Sequence, residues 1–141
     1  MRVDTLRGAS NTLLRKHRGG MDDESFRCAT HIVGENQRVQ KAVDALTAEN
    51  MQQLGNLMFE SHRSSQDHFR NSCRQLDWLV DYARQDSRCY GARLSGGGFG
   101  GISIHLVREE EAEEYRIDLC NTLHQLEPVE RWSGCCKIEQ G

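Results

Sequence analysis

The apolar positions of this chain follow a helical period, then a strand period, then a helical period again. Residues 1–23 set Leu6, Leu13 and Leu14 among polar residues and Gly8, Gly19 and Gly20. That stretch predicts one short helix and otherwise needs something larger to lie against. From Asp23 to Ala48, Phe26, Ala29, Val33, Val39, Val43 and Leu46 recur near a 3.6-residue period and predict a long helix with those side chains inward. Gly34 weakens its middle by about 1 kcal/mol relative to alanine and marks an expected bend or tight helix crossing. Asn50 and Gln53 form a capping box before a second helix carrying Met51, Leu54, Leu57 and Met58. Ser72 and Gln75 repeat it before a third, striped by Leu76, Leu79, Val80 and Ala83.

The alternation then shortens to two. Tyr90–Leu94 reads as a strand, and Ile102, Ile104 and Leu106 alternate with Ser103, His105 and Val107 in a second strand whose isoleucine side is the apolar face. Glu109–Leu126 returns to a helix, with Ala112, Tyr115, Leu119, Leu123 and Leu126 toward the core and Glu109, Glu110 and Glu111 at the positive end of its dipole. Val129–Ile138, with Trp132, is expected to supply a closing strand. Helices followed by strand, loop, strand and helix predict an α+β fold, helices packed on a small, mainly antiparallel sheet.

Composition narrows the classes of function. A chain of 141 residues supports one ordinary domain and buries about 68% of its unfolded surface, enough for a core without metals or disulfides. Eighteen Lys and Arg against 21 Asp and Glu leave a formal charge of -3, which argues against general attraction to nucleic acid. The basic cluster Arg15, Lys16, His17 and Arg18 is read as a solvated face. No apolar run approaches 18 residues, so no membrane span is expected. Six cysteines, at 28, 73, 89, 120, 135 and 136, form no CxxC motif and suggest free thiols in a reducing cytoplasm.

The densest chemical signal is Ser95-Gly96-Gly97-Gly98-Phe99-Gly100-Gly101. Ordering so many glycines costs backbone entropy, which a positive φ or a close-lying ligand would explain, and successive N–H groups could form a nest for an anion such as phosphate. No Lys follows the glycines, so the triphosphate loop GxxxxGK[ST] is absent, and they lead into a strand rather than a dinucleotide-binding helix. On the residues alone, a structural hinge and a phosphate wall stand level. His62 and His68, six apart, sit about 120° out of phase on a helix, so structural or surface roles outweigh a metal site. Arg93 is read as an ion-pair partner ahead of an anion ligand, Asp77 and Asp81 as a solvated acidic edge, and Trp78 and Trp132 as core or interface aromatics.

Four blocks carry a resemblance. Tyr90-Gly91-Ala92-Arg93-Leu94-Ser95-Gly96-Gly97-Gly98-Phe99-Gly100-Gly101 resembles the third motif of the small-metabolite kinase superfamily of galactokinase, homoserine kinase, mevalonate kinase and phosphomevalonate kinase. Ala29-Thr30-His31-Ile32-Val33-Gly34-Glu35-Asn36, Leu54-Gly55-Asn56-Leu57-Met58-Phe59-Glu60-Ser61-His62-Arg63-Ser64 and Ser72-Cys73-Arg74-Gln75-Leu76-Asp77 resemble blocks of its galactokinase branch, in the same order. Ser65 and Gln66 replace the usual Leu and Arg, and Ile102 a common Cys.

The resemblance implies the C-terminal lobe of that kinase fold, a ferredoxin-like arrangement over residues 24–141, with residues 1–23 as the segment linking it to an N-terminal lobe. By the same resemblance, complete members of the galactokinase branch transfer the γ-phosphoryl of ATP to the 1-hydroxyl of galactose with Mg2+. The resemblance places Ser95, Gly96, Gly97, Gly98, Phe99, Gly100 and Gly101 along the cleft near nucleotide and sugar. It matches no catalytic base or metal ligand here, since those segments belong to the N-terminal lobe. The expectation is a chain inactive without that lobe, binding ATP, Mg2+ or galactose weakly by itself and prone to self-association through bared apolar surface. The alternative is a non-catalytic kinase-derived module that binds a protein partner or senses a sugar or nucleotide.

Overall fold

The computed structural model describes residues 6–96 and 101–126. Its elements are α1 (Asn11–Lys16), α2 (Asp23–Thr47), α3 (Met51–Ser64) running into a π-helical turn (Ser65–Phe69), α4 (Arg74–Gln85), strands β1 (Cys89–Ser95) and β2 (Ile102–Val107), and α5 (Ala112–Leu126). Single 3-10 turns lie at Leu6–Gly8, Arg18–Gly20 and Glu109–Glu111. The order agrees with the α+β reading. The expected strand at Val129–Ile138, with Trp132, Cys135 and Cys136, lies outside the described residues.

Local chemistry explains the boundaries. Ser10 and Asp22 cap α1 and α2, their side chains accepting from the amides of Leu13 and Ser25. Helix α2 ends in a Schellman turn: Glu49 takes a left-handed φ of 53°, its N–H reaches Leu46 O, and Asn50 N–H reaches Ala45 O. The Asn50 side chain then accepts from Gln53 N–H to open α3, the cap expected there. The corresponding box at Ser72 does not form. Helix α4 starts at Arg74 after Cys73, which makes no side-chain cap, and the Ser72 hydroxyl goes instead to Asp77 Oδ1 at 2.5 Å. No break occurs at Gly34 either. Helix α2 runs through it, and the Arg38 guanidinium occupies the space beside it, 3.0 Å from where a Cβ would stand.

The main core lies between α4, one face of the sheet, and α5. Leu76, Leu79, Val80 and Ala83 of α4 meet Ala92 and Leu94 of β1 and Tyr115 and Leu119 of α5. Fully burying an aliphatic side chain of this size stabilises by about 1.5–3 kcal/mol. A smaller cluster seats Leu14 of α1 on Ala29 and Val33 of α2. The periodic reading of α2 was correct for its first half only: Val39, Val43 and Leu46 are each more than half exposed.

The hairpin is antiparallel, with Leu94 opposite Ser103, Arg93 opposite Ile104 and Ser95 opposite Ile102. Residues opposite one another share a face. Ser103 and His105 therefore lie on the core side with Leu94 and Ala92, while Ile102 and Ile104 lie on the other, at 63% and 43% exposure. This reverses the expected orientation of β2. His105 is accommodated inside because Tyr115 OH meets its Nδ1 at 2.7 Å and Ser103 Oγ its Nε2 at 2.9 Å.

Helix α3 covers the outer edge of β1 through two contacts. At Gly55 the backbones touch: a Cβ there would stand 2.0 Å from Tyr90 O, and one on Gly91 would stand 2.1 Å from Gly55 O. Two turns further on, His62 Nδ1 accepts the edge amide of Leu94 at 3.2 Å.

Candidate functional site

The glycine turn is the loop of this hairpin. Ser95 and Ile102 close it by pairing across the ladder. Gly96 has φ +82°, a left-handed conformation that disfavours a side chain, although nothing stands within 4 Å of a Cβ there. Gly96 and Gly101 are exposed. Gly97, Gly98, Phe99 and Gly100 lie outside the described residues. At its described ends the turn is thus open to solvent rather than folded into the core.

Beneath the turn, the residues of the quoted blocks converge. Glu35 of α2 accepts from Arg38 Nε at 2.7 Å, from Ser61 Oγ of α3 at 2.8 Å and from Arg93 Nη1 of β1 at 3.4 Å. Burial pushes the Glu35 carboxyl up, but the hydrogen bonds from Ser61 and Arg38 and the charges of Arg38 and Arg93 outweigh it and hold it below the ordinary range. Such a carboxylate is a permanent counter-ion, poorly suited to taking a proton. Arg93 also donates to Leu94 O at 3.0 Å. It is an ion-pair partner, as the sequence suggested, and it ties the strand that enters the turn to α2.

A second set of polar contacts runs alongside. His62 is 2% exposed, and since its Nδ1 accepts the Leu94 amide, the neutral ring holds its proton on Nε2. That nitrogen stands 3.2 Å from Asp77 Oδ1, within range of charge attraction but without hydrogen-bond alignment. Burial lowers the His62 pKa below 6.5, and Asp77 and Asp81 only partly oppose this. His31 Nδ1 meets Ser64 Oγ at 2.9 Å beneath the Phe69 ring, and burial likewise lowers its pKa. Asp81 is exposed, whereas Asp77 is engaged by both Ser72 and His62, so the two do not form the shared acidic edge expected of them.

His62 and His68 do not converge. His62 faces β1, and His68 lines a groove of about 430 Å³ between α2 and the end of α3. That groove is mixed in charge, with Lys41 and Glu60 in its wall and Arg63 paired to Asp67 at 3.5 Å. Among the described residues no group of three His, Cys, Asp or Glu side chains gathers to hold a metal ion. Trp78 is partly buried against the core and stacks on Tyr82 at 5.6 Å, as expected of a core aromatic. Reading the residues singly missed the roles of Glu35, Ser61 and Ser64. Their membership of the quoted blocks was the available signal; Arg38, outside any block, gave none.

Comparison with known proteins agrees with this geometry. Residues 42–125 match the family model described as GHMP kinases C terminal. The chain is 39% identical over 114 residues to a galactokinase from Chloroflexus aggregans, covering 81% of this chain and 29% of that one. To the galactokinase of Bos taurus it is 40% identical over 109 residues, covering 77% and 28%. The crystal structure of Lactococcus lactis galactokinase complexed with galactose superposes with a TM-score of 0.83 at 28% identity, covering 89% of this chain and 33% of that one. The chain therefore spans roughly a third of the length of the proteins it matches.

Proposed function

Because this chain belongs to the GHMP kinase C-terminal family, we propose that it forms the C-terminal lobe of a galactokinase-type phosphotransferase, with Ser95–Gly101 as one wall of the cleft where ATP phosphorylates the 1-hydroxyl of galactose. The observation that carries this reading is the solvent-open glycine turn at Gly96 and Gly101, seated on strands that Glu35, Arg93 and His62 hold to α2 and α3. Phosphoryl transfer depends on positioning and charge neutralisation more than on covalent help from the protein. Backbone N–H groups on a braced hairpin suit the first task and part of the second.

The described residues gather no set of side chains suited to a metal ion. Arg93 is already neutralised by Glu35, and the Glu35 carboxylate accepts from three neighbours. Bound ATP would supply the phosphoryl group and Mg2+ would screen its charge, but no described residue is assigned to the ion. Proton abstraction from the sugar and metal binding fall to the N-terminal lobe, so the chain alone is inactive. The thiols of Cys28, Cys73 and Cys89 suit a reducing, cytoplasmic setting.

The test measures galactose-dependent ADP release from the purified chain and from the same chain joined to the N-terminal lobe of a related galactokinase. The expected result is turnover only in the joined protein. There, Gly96→Ala should lower kcat/KM by about tenfold or more, since a Cβ at φ +82° would displace the turn. Turnover by this chain alone would refute the division of labour, and a well-folded but silent joined protein would refute the kinase reading.

A further inference from the structure

The strand that enters the glycine turn is held by side chains just before the turn begins. Leu94 lies opposite Ser103, and both of its backbone groups turn away from β2: its N–H donates to His62 Nδ1 at 3.2 Å and its C=O accepts from Arg93 Nε at 3.0 Å. That is the geometry of a non-hydrogen-bonded pair in an antiparallel ladder. Leu94 stands two residues before Gly96, so whatever grips its backbone fixes where the turn starts. Arg93 is steadied by Glu35 of α2, and His62 brings in the last turn of α3.

The His62 contact works in one tautomer. With the proton on Nδ1, two N–H donors would meet head to head across 3.2 Å; with it on Nε2, Nδ1 keeps its lone pair for Leu94. Burial keeps the ring neutral at neutral pH, so the choice lies between these two forms. Asp77 of α4 decides it. Its Oδ1 stands 3.2 Å from Nε2, and a carboxylate oxygen there attracts an N–H and repels a lone pair. Ser72, just ahead of α4, donates to the same oxygen at 2.5 Å and turns it toward the ring.

A path from Ser72 through Asp77 and His62 to Leu94 thus joins the start of α4 to the end of β1. We propose that Asp77 is a positioning residue: through the His62 tautomer it sets residues 94–96, which open the glycine turn. The consequence for phosphoryl transfer rests on the kinase reading above; the relay itself rests on this chain's own geometry.

The test uses the full chain labelled with nitrogen-15. His62 should carry its proton on Nε2, with a coupling through the hydrogen bond between Nδ1 and the Leu94 amide nitrogen. Asp77→Asn, whose amide can turn a donor toward Nε2, should move the proton toward Nδ1 and speed Leu94 amide exchange about tenfold relative to Leu79 and Val80 in the core. His62→Asn sets an amide oxygen where Nδ1 stands and should keep Leu94 protected, whereas His62→Gln, whose oxygen falls nearer Nε2, should not. In the His62→Asn background Asp77→Asn should change nothing further at Leu94, because no ring remains to orient. In the protein joined to an N-terminal kinase lobe, Asp77→Asn should lower kcat/KM about tenfold.

A native His62 protonated on Nδ1, or an Asp77→Asn effect at Leu94 that persists in the His62→Asn background, would overturn the relay. Unchanged kcat/KM in a joined Asp77→Asn protein whose Leu94 exchange has risen would overturn the positioning role and leave the kinase reading standing. A joined protein silent with native Asp77 counts against the kinase reading, and the tautomer and exchange results on this chain then decide the relay.

Discussion

Gly55 and Gly91 have no room for a methyl group. The built Cβ positions fall 2.0 and 2.1 Å from carbonyl oxygens of the facing element, and backbone cannot swing aside as a long side chain would. Gly55→Ala should therefore destabilise by about 3 kcal/mol or more, at the upper end of overpacking costs, even though alanine is the better helix former. Gly34→Ala is the control: its nearest neighbour is the flexible Arg38 guanidinium, so the helix-propensity gain of up to about 1 kcal/mol opposes a small displacement. Denaturant melts of both variants distinguish backbone contact from helix propensity.

The histidines set into the fold, His31 and His62 buried and His105 half-buried, belong to the same scale. Burial lowers the pKa of His31, His62 and His105, the last from 6.5 to about 4. A histidine held neutral in the fold takes up its proton more readily when unfolded. Stability is thus full above pH 6.5, declines as pH falls toward about 4, and for His105 levels off below. The lowered Glu35 carboxyl works in the same direction at still lower pH. Melting temperature should drop progressively across pH 6.5 to 4, His105 alone accounting for at most about 3 kcal/mol. His105→Gln should flatten that part of the profile; an unchanged slope would show that His105 is not the group responsible.

Among the elements, legibility depended on whether a pattern was satisfied locally. The cap at Asn50 was readable because its partner lies three residues away. The same spacing at Ser72 misled, because Asp77, five residues on, takes its hydroxyl instead. Alternation along β2 gave the strand but not its inward side: His105 lies on the core side, where Tyr115 of α5 meets its ring. The glycine turn and its flanking strands were visible from composition and block order. The ion-pair seat beneath was not, since Glu35 meets Arg93 across 58 residues of sequence. Glu35→Gln should leave the helices intact while loosening β1, with amide exchange at Leu94 and Ser95 faster by about tenfold.

On the proposed reading the molecule is a lobe whose functional rim is the hairpin loop. Its hairpin loop opens at Gly96 and Gly101, and its main core lies on the opposite side of the sheet from Ile102 and Ile104. A cleft formed between lobes loses one wall when a lobe stands alone. Calorimetric titration of the isolated chain with ATP, Mg2+ or galactose should accordingly show weak binding or none, and binding should return when an N-terminal kinase lobe is joined to it.

Asn50 terminates one helix with its amide and begins the next with its side chain, so α2 and α3 share a hinge pin with no slack on either side. One extra amino acid at that corner would have to break one grip or the other and rotate a whole rod of the structure. Fluorophores, affinity tags or relocated chain ends placed there would report mainly on the damage they cause.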